Sequence, residues 1–369
     1  MDDHEPTMLP PAEQQTQPGP LAQSDDQALP PEAPTSPAIH DRIHSLIIGS
    51  DGLRVPWRLF LYFLMAAATL FLFGFFLNSW EPTGRGRIWF GMISEAGLMI
   101  VAMIPAFAMA RIERRRFDTY GLPGKLAFGK LFWIGALWGL VGLTILMLIL
   151  RALGVFYFGS IALSGARVMK FAAFYGLFFL IVGLFEEFLA RGYTQFTLTQ
   201  GIGFWPSAAV LSTAFGCIHL GNKGEGWIGA LAAGLIGFFF CLTLRRTGNL
   251  WFAVGFHASW DWGETYLYSV PNSGTTAPGH LLSSSFHGSR WLTGGTIGPE
   301  GSVFLFVVLA LLWIAFDRIY PHVNYPPATT AALLEPICIA PSVEQAEPGI
   351  ANDLPPSTDI PAPGSSYHE

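Results

Sequence analysis

The chain is short of charge. Asp, Glu, Lys and Arg make up 12% of its 369 residues, against 51% hydrophobic residues, whereas a soluble globular domain carries about 25% charged residues. The deficit argues against an ordinary soluble domain. With the positive mean hydropathy, it points to a polytopic membrane protein. No polybasic stripe appears, so no nucleic-acid partner is expected. Cysteine is scarce too. Cys217, Cys241 and Cys338 have no CxxC spacing, which gives neither a disulfide framework nor a zinc knuckle; two of them lie in apolar segments and read as small packing residues. The opening MDDHEPTMLPP lacks a basic n-region and an apolar h-region. A cleavable signal peptide is therefore not expected, and the first apolar segment should act as an uncleaved anchor. The closing SSYHE carries no prenylation signal.

Large apolar residues are also rare at both ends. Residues 1–41 and 325–369 are rich in Pro and scattered acids, and both are expected to be disordered tails. Much of the acid sits there, so the formal net charge of −6 describes the membrane part poorly. Between the tails the sequence has about eight apolar spans, near 55–78, 88–110, 130–151, 170–198, 205–220, 227–244, 249–267 and 302–320. The expected fold is all-α, a polytopic membrane helical bundle of about eight transmembrane helices. Residues 42–129 would form N-terminal helices and a basic loop, 130–267 the core of the bundle, and 268–324 a loop with the last helix.

Lys and Arg near span ends set orientation. The stretch RIERRR (Arg111 to Arg116), with Arg54, Arg58, Arg245 and Arg246, places both tails in the cytoplasm of a multi-pass inner-membrane protein. Arg85, Arg87, Arg167 and Lys170 fall on the other side. Ala230, Gly234 and Gly237 read as a small-residue face that lets helices approach closely. His280 and His287, in the Ser- and Gly-rich loop 268–300, read as solvated.

The informative residues are the ionisable ones inside apolar spans. Each costs about 2.5–3.5 kcal/mol on insertion scales, so such residues persist where they are paired or line a wet cavity. FEEFLARGY (185–193) supplies Glu186, Glu187 and Arg191. Glu187 and Arg191 are four apart and share a helix face. Glu186 lies about 100° round, so one acid can pair with Arg191 while the other faces a cavity. FGCIH (215–219) puts Phe215 and His219 on one face, and HASWD (257–261) does the same for His257 and Asp261. At 1.5 Å per residue Glu186 lies about 18 Å, His219 about 21 Å, His257 about 12 Å and Asp261 about 18 Å from the cytoplasmic ends of their helices. The set can converge in one intramembrane cavity. A carboxylate beside a histidine can take a proton from water. Two His and a carboxylate can also hold zinc with an open position for water. Both readings stay open at this point.

EEFLAR, FGCIH and HASWD in order, with the upstream FDTYGL (117–122), resemble the CAAX-protease and bacteriocin-processing (CPBP, Abi-like) family of intramembrane endopeptidases. Its motifs are EExxxR, FxxxH and HxxxN or HxxxD, and the likeness runs from about 115 to 265. The resemblance implies a helical membrane fold and a peptidase that cuts a membrane-associated peptide or lipidated protein near the bilayer boundary. Eukaryotic members remove the last three residues of prenylated CAAX proteins. Many bacterial members are linked to peptide maturation, bacteriocin self-immunity or surface-protein processing. Residue by residue, Glu186 matches the catalytic glutamate, expected to activate water with His219. Glu187 and Arg191 complete the first motif, with Arg191 orienting the acids. His257 and the residue at 261 match the pair proposed to bind the oxyanion. Asp261 stands where the eukaryotic pattern has Asn, and an ionised Asp cannot donate to an oxyanion. It is then protonated, orients His257, or ligates a metal. No helical HxxxH pair is present, so a metal-free glutamic mechanism is favoured, with a zinc-dependent version as the alternative. A non-catalytic membrane scaffold or immunity protein is the reading from another class. A proton-coupled transporter ranks last, because no second copy of either charged pattern suggests an inverted repeat.

Overall fold

The computed structural model describes residues 44, 46–49, 52–79, 86–222, 224 and 226–325, with residues 86–88 as backbone alone. The N-terminal tail 1–41, nearly all of the C-terminal tail and Cys338 lie outside the described residues. Tyr325 belongs to the folded part: it is buried, and its carbonyl accepts from Arg245 Nη1 at 2.6 Å.

The described chain is mostly helical. The long elements are α1 (Val55–Asn78), α2 (Gly86–Ile112), α3 (Lys130–Ala152), α4 (Ala166–Arg191), α5 (Tyr193–Ile202), α6 (Phe204–His219), α7 (Trp227–Thr247) and α8 (Trp251–Trp262). One short turn, α9 (Arg290–Thr293), precedes α10 (Val303–Ile319). Each of the eight apolar spans forms helix. Five stretches are long and apolar enough to cross a membrane: Val55–Asn78, Trp89–Ile112, Lys130–Ala152, Ala166–Ile202 and Trp227–Thr247. The other three are shorter. α6 has 16 residues and α10 has 17, and α8 has 12 before a π-helical turn at Gly263–Tyr268.

α8 is short because it is the buried centre of the bundle rather than a lipid-facing rod. Phe252, Ala253, Val254, Phe256 and Trp260 are all buried, and a helix apolar all round needs neighbours on every side. Glycines let those neighbours close in. A Cβ on Gly255 would lie 2.1 Å from the Phe132 carbonyl of α3, so the two backbones touch there. The small-residue face predicted on α7 meets α6 in the same way, with Gly216 against Ala230 and Gly234.

The fourth span departs from the single helix expected. It breaks at Gly192, where ψ is −116°, directly after Arg191. α5 then runs to Ile202. The segment between α8 and α10 is also more ordered than its composition implied. Its Ser285–Phe286 pairs with Phe156–Tyr157 as two short antiparallel strands. Leu281 binds Tyr266 and Ala162 through the backbone, and the Pro278 carbonyl accepts the Tyr175 hydroxyl. His280 and His287 stay away from the cavity described below; His280 Nδ1 sits 2.7 Å from the Leu282 carbonyl.

Arg58, near the start of α1, is packed into the bundle. It is buried and makes a two-pronged contact with Glu113, at 2.9 Å and 2.6 Å, while Tyr193 donates to the same carboxylate at 2.6 Å.

Candidate active site

Glu186 and Glu187 are consecutive in α4 and have separate environments, as the 100° step requires. Glu187 points inward and is fully buried. Its Oε1 accepts from Arg191 Nη1 at 3.0 Å and contacts His257 Nδ1 at 2.9 Å. Glu186 faces a cavity. Its Oε2 lies 3.6 Å from His257 Nε2 and makes no hydrogen bond among the described residues. Asp261, one turn along α8 from His257, brings Oδ2 to 3.4 Å from the same Nε2. One imidazole therefore joins three carboxylates.

Arg191 is held from several directions. Its Nε donates to the Gly237 carbonyl at 3.2 Å, and its guanidinium lies 4.6 Å from the Phe215 ring and 5.7 Å from Phe240. These aromatic faces favour a cation in a dry interior. Gly237 is the residue that makes room: a Cβ there would lie 2.2 Å from Arg191 Nη2. Gly237 thus belongs to the small-residue face expected on α7, and the neighbours it admits are Arg191 and Phe215. Arg191 contacts Glu187 and makes no hydrogen bond to Glu186, so it fixes one acid, not both.

Phe215 has two functions in its motif. Its ring covers Arg191, and its carbonyl lies 2.9 Å from His219 Nδ1. A carbonyl can only accept, so Nδ1 carries the hydrogen and Nε2 is left with its lone pair. The resemblance expects Glu186 and His219 to act together on water, and both side chains line one cavity. His257 is the imidazole in contact with Glu186, Glu187 and Asp261, and His219 lines the same cavity.

That cavity has a volume of about 560 Å³. Glu186, His219, His257 and Asp261 line it; Glu187 and Arg191 lie behind its wall. Tyr175, Phe179 and Val182 share the α4 stripe that ends at Glu186, at spacings of three and four, and they form an apolar wall. Two further acids line the cavity that the motif reading missed, Glu95 from α2 and Glu300 from the turn before α10. Glu95 was findable, as a lone acid in an apolar span. Glu300 was not, because nothing local distinguishes it from a loop acid. Glu300 Oε2 accepts from the Ser273 backbone N–H at 3.0 Å and from its hydroxyl at 2.9 Å. Among the described residues, no three His, Cys, Asp or Glu side chains are grouped to hold a metal ion.

The residues so assembled fall in one continuous part of the chain. Residues 168–263 match the type II CAAX prenyl endopeptidase Rce1-like family. The match spans all six motif residues from Glu186 to Asp261. It implies a membrane protease. The Rce1-like segment is shorter than the motif likeness, and FDTYGL lies upstream of it. There Gly121, at φ 94°, closes the turn Phe117–Tyr120, and its carbonyl accepts from Leu250 N at 2.8 Å. This upstream element supports the start of α8 rather than lining the cavity. Glu95 and Glu300 are also outside the Rce1-like segment. No curated protein matches the chain.

Proposed function

We propose that the protein is an integral membrane endopeptidase that hydrolyses a peptide bond of a membrane-associated or lipidated substrate, with water activated by Glu186. The observation that carries this reading is the pair of contacts on His257: Glu187 on Nδ1 at 2.9 Å and Glu186 at 3.6 Å from Nε2.

The contacts assign roles. Glu187, charge-balanced by Arg191, accepts the Nδ1 hydrogen and fixes the ring's tautomer and angle. Two carboxylate oxygens cannot both face a bare Nε2 lone pair, so a proton is shared among Nε2, Glu186 and Asp261. Asp261 thus orients His257 and shares that proton instead of donating to an oxyanion. In the reaction, Glu186 takes a proton from water as the oxygen attacks the carbonyl carbon. The carbonyl oxygen gains the negative charge and is stabilised by the Nε2 hydrogen of His257. When the carbon–nitrogen bond breaks, Glu186 returns its proton to the leaving amine. His219 lines the same cavity, and its Nε2 is the nitrogen left to hold the water or the carbonyl. No metal is needed in this sequence.

The test replaces His257 by Ala in the full chain, with cleavage of a lipidated reporter peptide and the amount of folded protein as readouts. Loss of cleavage in folded protein supports the reading. Undiminished cleavage overturns it.

A further inference from the structure

Gly192 does not hold its own conformation. A glycine samples backbone space widely. Here ψ is −116°, where a continuing helix has about −42°. A larger residue does not fit: a Cβ would lie 2.4 Å from the Phe188 carbonyl and 2.6 Å from its ring. The break separates Arg191, which balances Glu187, from Tyr193, which opens α5. Whatever fixes Tyr193 therefore fixes the direction in which α4 ends.

Tyr193 is fixed from outside the Rce1-like segment. Its hydroxyl donates to Glu113 Oε1 at 2.6 Å, in the short range of bonds to a carboxylate. Its ring is stacked on Tyr62 of α1, with centroids 4.8 Å apart, and stands edge-on to Tyr120 at 5.0 Å. Glu113 is held in turn. Besides the two prongs of Arg58, its Oε2 accepts from the Tyr120 hydroxyl at 3.4 Å and lies 3.5 Å from Arg115 Nε. Arg58 also reaches Thr197 at 3.5 Å, and it donates to Gln200. Tyr193, Thr197 and Gln200 follow at spacings of four and three, so one face of α5 is gripped along its length. These groups lie away from the cavity lining, and the hydrolysis described above uses none of them.

We propose that Tyr193 is a positioning residue: its bond to Glu113 sets the break at Gly192, and through it the seat of Arg191 behind Glu187 and His257. The proposal rests on the peptidase reading and extends it. Turnover then depends on α1 and on the end of α2, which supply Arg58 and Glu113 from outside the family-matched segment. The path is short. Only Gly192 separates Tyr193 from Arg191, and Arg191 touches Glu187, which in turn touches His257.

The experiment uses Tyr193→Phe in the full chain in nanodiscs. This variant loses one hydroxyl and keeps the ring on Tyr62, whereas Glu113→Gln would strand the buried Arg58 charge. The readouts are kcat and KM for a lipidated reporter, per folded molecule and below the melting transition, and the Arg191 Nε–H resonance in protein labelled with nitrogen-15 arginine. Arg191→Lys assigns that resonance. In Tyr193→Phe, kcat should fall about tenfold, less than a misplacement of about 1 Å can cost. KM should stay within about twofold, and the resonance should move. Gly237→Ala displaces Arg191 directly. In that background Tyr193→Phe should lower kcat by less than about twofold, because both changes act through one guanidinium. Unchanged kcat, a change in KM alone, effects of the two substitutions that multiply, an unmoved resonance, or too little folded Tyr193→Phe to give a rate would each overturn the proposal. A parent that does not cleave, with a resonance that moves in Tyr193→Phe, contradicts the peptidase reading alone. A parent that cleaves no faster than Tyr193→Phe contradicts this proposal alone.

Discussion

Glu187 and His257 stand seventy positions apart in the chain, and their Oε1 and Nδ1 atoms are 2.9 Å apart. The contact fastens α4 to α8 at the point where the cavity begins. A glycine makes it feasible: a Cβ on Gly183, one turn before Glu187, would lie 3.3 Å from the Val254 carbonyl and 3.5 Å from His257 Cβ. Close approach of the two helices is thus a condition of the site's chemistry.

Glu187→Gln should cost stability as well as activity. It leaves the fully buried Arg191 charge without its counterion, and breaking a buried pair costs about 3–5 kcal/mol. Thermal unfolding of the purified variant should fall accordingly, whereas Glu186→Gln should melt close to the parent. Equal melting of the two would mean that Glu187 is not the structural member of the pair.

Gly237→Ala should damage the site without touching any acid. The added methyl would collide with Arg191 Nη2, and overpacking a filled core costs about 1–3 kcal/mol. Arg191 must then leave the Gly237 carbonyl, loosening Glu187 and His257 behind it. Cleavage of the reporter should drop while the cavity-facing residues stay intact. Unchanged cleavage would show that the position of Arg191 is not critical.

The spacing of the motifs made the local contacts legible. Glu187 with Arg191, and His257 with Asp261, are four apart, and both pairs meet, at 3.0 Å and 3.4 Å. Helix geometry alone fixes those. Which acid meets which imidazole is set by helix rotation and approach, which depend on glycines facing carbonyls in other helices. The sequence reading put Glu186, His219 and His257 in one cavity, which all three line, but the direct approach of His257 to Glu186 at 3.6 Å was not legible in it. The break at Gly192 was also hidden, because apolar residues continue through it. Glu300 reaches the cavity only through the fold of the segment between α8 and α10.

That segment should carry a pH signature. Burial, and then the charge of Asp261, push the Glu300 carboxyl above its ordinary value, against the smaller opposing effect of its bonds to Ser273. Below the ordinary value of about 4.3, folded and unfolded chains both hold the proton and nothing is lost. Above it only the folded chain holds the proton, so stability falls as pH rises toward the raised value. Hydrogen exchange in residues 269–302 should therefore become less protected over that interval. Glu300→Gln should flatten the slope. A slope unaffected by Glu300→Gln would assign it to another group.

Cleavage should be indifferent to a strong chelator. Water activation is ascribed here to the Glu186 carboxylate rather than to a metal ion. Abolition by chelator with rescue by zinc would refute the metal-free mechanism.

The most direct test is the cleavage rate per folded molecule of Glu186→Gln against the parent, with a lipidated reporter. Glutamine cannot accept the proton of water, so the account predicts a loss of about 10²–10⁴-fold in protein that melts like the parent. A rate within about tenfold of the parent, well below what loss of a general base costs, would contradict it.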